Sequence, residues 1–152
     1  MVLSRSVNIM QPVSRVYDYV KMTRNQDNFS VWNMQDPNMD KQYSGTDGEK
    51  GFIYRWNSTT NKNVGEGEQE ILSLVDNSQV NYEVRFSRPM KSVARTGFSL
   101  NVVSPDQTAI SWNFSSPMKF PMTLFKGPFS KMLIKDIQKG LDNLKEILEK
   151  QA

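Results

Sequence analysis

The segment Pro128-Phe-Ser-Lys-Met-Leu-Ile-Lys-Asp-Ile-Gln-Lys-Gly-Leu-Asp-Asn-Leu-Lys-Glu-Ile-Leu-Glu-Lys150 decides the fold. Phe129, Met132, Leu133, Ile137, Leu141, Leu144 and Leu148 recur at steps of three and four, which places them on one stripe of a helix. Lys131, Lys135, Lys139, Asp142, Lys145, Glu146 and Glu149 form the opposite, hydrated face. Pro128 suits the first helical turn, where its missing N–H costs no hydrogen bond. A helix over this segment is about 35 Å long at ~1.5 Å per residue, roughly the width of a small domain. It needs an apolar partner surface, and the region from Lys41 to Ser116 reads as the strands that supply one.

Working back from the helix, four strands alternate cleanly. Phe52, Tyr54 and Trp56 share one face; Val80, Tyr82, Val84 and Phe86 another. Ala94, Thr96, Phe98, Leu100 and Val102 form a third, and Thr108, Ile110, Trp112 and Phe114 a fourth. Polar residues sit between them, the pattern of an antiparallel sheet with one dry and one wet face. A further strand, Val64 to Val75, is expected to bury Ile71 and Val75, which puts Gly65, Gly67 and Gln69 inside and Glu66, Glu68 and Glu70 in water. Asp47-Gly48 and Asp76-Asn77 are turns, and Pro89 ends its strand.

Near the N-terminus, Leu3, Val7 and Ile9 alternate with Ser4, Ser6 and Asn8 as a half-buried first strand. Pro12 opens a short helix with Val13, Val16, Tyr17 and Val20 inward. Asn25 to Trp32 reads as a second short helix, capped by Thr23 or Asn25, with Phe29 and Trp32 inward. The expected architecture is α+β: a curved antiparallel sheet of about seven strands around a long C-terminal helix, with two short helices after the first strand.

Composition narrows the chemistry. The 152 residues suit one domain, 1–152, and 38% apolar content with 11% aromatics argues for a packed core. There is no cysteine and no histidine, so disulfides, thiolate chemistry and imidazole-based catalysis are excluded. The net charge of +3 is scattered among acids rather than gathered into a basic stripe, so no nucleic-acid partner is expected. No window resembles a signal peptide or a spanning helix, which leads us to expect a cytoplasmic protein without stable membrane insertion.

Several short motifs occur in a characteristic order: Ile9-Met-Gln-Pro12 before Val16-Tyr17-Asp-Tyr19, then Trp32, Gly65-Glu-Gly67, Thr108-Ala-Ile-Ser-Trp112 and Gly140-Leu-Asp-Asn-Leu-Lys145. Their order and spacing resemble the START-like superfamily, and within it the polyketide cyclase/dehydrase-like proteins of helix-grip fold. The resemblance runs nearly end to end. It implies a cavity between sheet and helix that takes lipids, polyketides, aromatic compounds or similar apolar molecules. It carries over no catalytic residues, and superfamily members include enzymes, carriers and co-chaperones.

On this reading the candidate ligand-binding residues are Trp32, Tyr54, Trp56, Gln69, Tyr82, Phe86, Arg88, Phe98, Trp112, Phe114, Met122 and Met132. Aromatic walls would give contact area, and Tyr and Trp tips, Gln69 and Arg88 would orient the ligand. A filled aromatic core is the plainer reading of the same residues. Gly65 and Gly67 open space or bend the sheet, and Gly140 marks a close crossing or ligand room. The apolar stretch Met118, Phe120, Met122, Leu124 and Phe125 is a lid over the cavity or a loop tucked on the core.

The expected partner is a small hydrophobic molecule, with no cofactor and no metal. Glu66, Glu68 and Glu70 are the weighed cation site, without an identifiable further ligand. A cyclase- or dehydratase-type enzyme is the alternative, with Arg88 and Tyr82 or Tyr54 polarising a carbonyl in place of histidine. A third reading, co-chaperone-like partner binding, would use Lys131, Lys135 and Lys139 on the outer helix face.

Overall fold

The computed structural model describes residues 2–61, 64–88, 90–116 and 126–150, the last with its side chains from 131 onward. Strand β1 (Val2–Ile9) leads to helix α1 (Val13–Val20), a 3₁₀ turn (Thr23–Asn28) and the one-turn helix α2 (Val31–Met34). Six strands follow: β2 (Asp40–Ser44), β3 (Ile53–Asn57), β4 (Glu66–Val75), β5 (Gln79–Arg88), β6 (Ser92–Ser104) and β7 (Gln107–Ser115). Helix α3 (Lys126–Lys150) completes the fold. The seven strands form one antiparallel sheet in the order β1-β7-β6-β5-β4-β3-β2, so the first strand docks beside the last. This is the helix-grip arrangement.

The dry face is set by side-chain parity, as expected for Phe52, Tyr54, Trp56, Gly67, Gln69, Ile71, Val80, Tyr82, Val84, Ala94, Phe98, Leu100 and Ile110, all buried. Two β-bulges in the β4–β5 pairing reset that parity. Leu72 is an extra residue between the pairs Ile71↔Tyr82 and Ser73↔Asn81. Leu74 therefore turns inward opposite Val80, and Val75, expected to be buried, is 51% exposed. Ser87 is the extra residue between Gly67↔Phe86 and Glu66↔Arg88, with consequences for Arg88 described below. Val102, expected inside, pairs with Thr108 but lies beyond the end of the β5 pairing at Ser99, and it is exposed.

The second short helix divides in two. Its first part is the 3₁₀ turn, and neither Thr23 nor Asn25 caps it. Asp47, from the turn between β2 and β3, accepts hydrogen bonds from the backbone N–H groups of Thr23 (2.7 Å) and Arg24 (3.0 Å). A carboxylate brought from a distant hairpin satisfies donors that a local cap would otherwise serve.

The interior has two halves. Leu141, Leu144 and Leu148 of α3 are fully buried against Ile9, Val16, Val20, Leu100 and Ile110. Gln11, itself buried, donates from Nε2 to the Leu148 carbonyl (2.8 Å), and Thr108 Oγ1 donates to the Gln11 carbonyl (2.8 Å). This end is aliphatic and closed. Toward the N-terminal half of α3, Ile137 remains buried, Leu133 is half-buried, and Met132, expected on the apolar stripe, is 49% exposed.

Two glycines explain how the halves join. A Cβ on Gly140 would lie 2.8 Å from Trp112 Cζ3, so the helix crosses the sheet with the indole seated on its backbone. A Cβ on Gly67 would meet the Trp56 indole at 2.8 Å and the Arg85 carbonyl oxygen at 2.6 Å. Both glycines thus make room for tryptophans rather than for open space, as aromatic side chains commonly do over strand glycines. Gly65 lies before β4 in a turn, at φ 62°.

The divided interior predicts unequal costs along α3. Leu144→Ala should lose about 2–5 kcal/mol, the usual range for a fully buried leucine. Leu133→Ala should lose clearly less, because its side chain is only partly enclosed. Denaturant unfolding of the two variants measures both; equal losses would contradict the division.

Candidate functional site

Between the inner face of β3–β7 and the N-terminal half of α3 lies a cavity of about 230 Å³. That is far more than the ~10–15 Å³ a single water needs. Gln26, Ser30, Val31, Trp32 and Asn33, from the 3₁₀ turn to α2, form one side; Leu133, Asp136 and Ile137 of α3 form another. The sheet contributes Tyr54, Trp56, Gln69, Val84, Phe86, Thr96, Trp112 and Phe114.

The aromatic wall is a packed set of rings. Phe86 meets Trp32 at 6.2 Å and Trp56 at 5.9 Å, both at 78° between planes, the edge-to-face geometry that ring quadrupoles favour. The indole N–H groups of two walls are turned to the protein. Trp56 Nε1 donates to the Val64 carbonyl (3.0 Å), and Trp112 Nε1 donates to Thr96 Oγ1 (3.2 Å). Thr96 in turn donates to the Asn113 carbonyl (2.7 Å). For Trp56 and Trp112, therefore, carbon surfaces and not polar tips are left for an occupant.

Polar groups are few and distinct. Gln69 stands directly across from Tyr54 in the strand pairing and donates from Nε2 to Gln26 Oε1 (3.2 Å). The Tyr54 hydroxyl is buried and has no hydrogen-bond partner among the described residues, a condition that costs about 1–3 kcal/mol. Burial, with the Asp27 carboxylate and Tyr43 nearby, pushes its pKa up, so it stays a protonated donor. On the opposite wall is Asp136. Burial raises its pKa above the ordinary carboxylate value, while the Lys135 ammonium partly opposes the shift. Among the described residues it makes no hydrogen bond or ion pair, and no lysine or arginine lines the cavity with it.

Of the residues expected at the site, Trp32, Tyr54, Trp56, Gln69, Phe86, Trp112 and Phe114 are brought together around this cavity. Four others are not. Tyr82 and Phe98 are buried in the filled core; the Tyr82 hydroxyl donates to the Val20 carbonyl (3.4 Å), and Phe98 packs on Trp112 with centroids 5.0 Å apart. Arg88 belongs to the outer face, because the bulge at Ser87 reverses its parity; it bonds Asn57 and pairs with Glu66 (3.5 Å). Met132 points away, as its exposure shows. Met122 lies outside the described residues, as does the proposed lid at 117–125.

The row Glu66, Glu68 and Glu70 also reads differently. Arg55 and Arg85 both pair with Glu68 (3.3 Å each), Arg85 pairs with Glu70 (2.8 Å), and Arg88 takes Glu66. These carboxylates are matched by guanidinium groups on the outer face of the sheet.

Sequence reasoning missed Gln26, Ser30, Asn33, Met90, Ser92, Ser116 and Asp136 as wall residues. Asp136 had a usable signal: Leu133 and Gly140 flank it at three residues before and four after, so a carboxylate borders the apolar stripe.

No family model and no curated protein matches the sequence. Solved structures do share its fold. Protein MLL2253 from Mesorhizobium loti superposes with a TM-score of 0.72 at 12% identity, covering 100% of this chain and 99% of its own. The Aha1 dimer structure from Colwellia psychrerythraea gives 0.67 at 15% identity, covering 98% and 96%. DynU16, described as a putative protein in the dynemicin biosynthetic locus, gives 0.68 at 15% identity over 99% of this chain and 48% of its own. These likenesses, at 12–15% identity, show a shared fold. No helix among the described residues is long and apolar enough to cross a membrane.

Asp136 gives a pH test of the site. Its carboxyl binds a proton more readily in the folded state than in the unfolded chain. Stability is therefore penalised as pH rises through the unfolded value of 3.8 toward the higher folded one, and the penalty is full above that. Asp136→Asn should raise the melting temperature at pH 7 and lose this advantage below pH ~3.8. A variant no more stable at pH 7 than at pH 3, relative to the parent, would contradict the desolvation of this group.

Proposed function

We propose that this protein binds a small, largely apolar molecule in the cavity between its sheet and α3. The observation that carries the proposal is the wall itself: six aromatic side chains, Trp32, Tyr54, Trp56, Phe86, Trp112 and Phe114, around about 230 Å³ of space. Transfer of an apolar ligand from water contributes about 25 cal/mol per Å² of buried surface, before the costs of association. Tyr54 offers a hydrogen-bond donor that no described residue uses. A cytoplasmic setting, expected from the sequence, belongs to the same proposal.

A second reading, acid–base chemistry of cyclase or dehydratase type, is favoured by the presence of Tyr54 and Asp136 in one cavity, both with raised pKa values. The Arg88–Tyr82 pair that the sequence offered for this role is dispersed between outer face and core. Tyr54→Phe separates the readings: a binder retains most of its affinity, whereas an enzyme loses turnover while still binding.

The direct test is titration with small aromatic hydrocarbons and alcohols, followed by tryptophan fluorescence. The chain has 3 tryptophans, and Trp32, Trp56 and Trp112 all border the cavity. Ser92 lies across from Phe86 on the inner face, so Ser92→Phe places a ring in the space. The parent should bind at least one probe with a fluorescence shift, and Ser92→Phe should weaken binding about tenfold or more, as ~1.4 kcal/mol of lost contact implies. Equal binding by a folded Ser92→Phe would place the ligand elsewhere.

A further inference from the structure

The lining of the cavity is selective in charge as well as apolar. The chain carries 19 lysines and arginines against 16 acids, yet none of those cations borders the cavity among the described residues. Among the described residues, the one charged side chain there is Asp136. A partly buried carboxylate without a counter-charge is costly, and an arriving positive charge relieves that cost.

The aromatic wall favours the same charge. Indole and phenyl faces carry negative quadrupole density and attract cations, most strongly at tryptophan and most effectively when water is excluded. The fold brings the two features together. Gly140 seats on the Trp112 ring, with its would-be Cβ 2.8 Å from Cζ3. Asp136 lies one turn earlier on the same helix face, a Cβ spacing of about 5–6 Å. Asp136, Trp112 and Phe114 line the same cavity. An anionic head group would meet Asp136 with no compensating cation among the described residues, and a neutral one would leave the carboxylate as costly as before. The overall charge of +3 does not oppose a cation here, because exposed charges are screened beyond about 8 Å at physiological ionic strength.

We infer that the cavity takes a cationic amphiphile: an alkylated ammonium on an apolar body, with the head group between Asp136 and the Trp112–Phe114 wall. This rests on the apolar-ligand reading and narrows it to one charge class.

Benzyltrimethylammonium and neopentylbenzene test it, since they differ only by nitrogen in place of carbon. 3-Phenylpropanoate supplies the anionic arm, and tryptophan fluorescence with calorimetry reads all three. The cation should bind roughly tenfold more tightly than its neutral isostere, the combined order expected of cation–π and carboxylate attraction at a partly desolvated site. Asp136→Asn should reduce that preference severalfold while neutral binding persists, and the anion should bind most weakly. Neutral binding equal to or stronger than that of the cation overturns this inference and leaves the apolar reading standing. An unchanged preference in Asp136→Asn also overturns it, because the carboxylate then plays no part. Binding by none of the three overturns both.

Discussion

Two indoles lie against backbone where a Cβ would otherwise stand, and the shape of the interior depends on them. Trp112 is seated on Gly140 and Trp56 on Gly67, and a methyl group at either glycine would lie 2.8 Å from the ring, too close to fit without a shift. These contacts bring each ring up against the backbone of helix or sheet and set how closely the two approach. A glycine in mid-helix costs about 1 kcal/mol relative to alanine. Here that cost is offset by a close crossing that no other residue allows without moving the ring. Beyond Gly140 the helix offers leucines to aliphatic strands and the space is filled. Before it, the helix offers Leu133, Asp136 and Ile137 to an aromatic wall and the space is open.

The outer face of the sheet supports this division. Arg85 reaches Glu68, Glu70 and Glu83, Glu83 also meets Arg95 (2.9 Å), and Glu68 meets Arg55. Exposed pairs are individually worth little, about 0–1 kcal/mol, but a network across β3 to β6 matches charge on adjacent strands. It also occupies the arginines of that region on the wet side. Among the described residues, the cavity is left with Asp136 as its charge and Tyr54 as its unpartnered donor.

Most of the fold was legible in the residues themselves. Period-two alternation identified the strand faces, period-3.6 spacing identified α3, and Pro12 marked the start of α1. What parity could not reveal was where it slips. The bulges at Leu72 and Ser87 leave no mark in the alternation, because each depends on how two strands pair. Val75 and Arg88 were consequently assigned to the wrong face. Six wall residues, Tyr54, Trp56, Gln69, Phe86, Trp112 and Phe114, follow from strand parity alone, but Tyr82 and Phe98 share that parity and belong to the filled half. Alternation reports the side of a sheet, not the position along it at which packing ends. Asp136 escaped notice for a different reason: helix faces were read from apolar residues, and a carboxylate at the edge of the stripe reads as water-facing.

The central claim is that the interior is open on one side of Gly140 and filled on the other. Crystals pressurised with xenon test it most directly, since xenon enters apolar cavities without regard to hydrogen bonding. The account predicts xenon density among Trp32, Phe86 and Trp112 and none among Leu141, Leu144 and Leu148. Density among the leucines, or none beside the tryptophans, would contradict it.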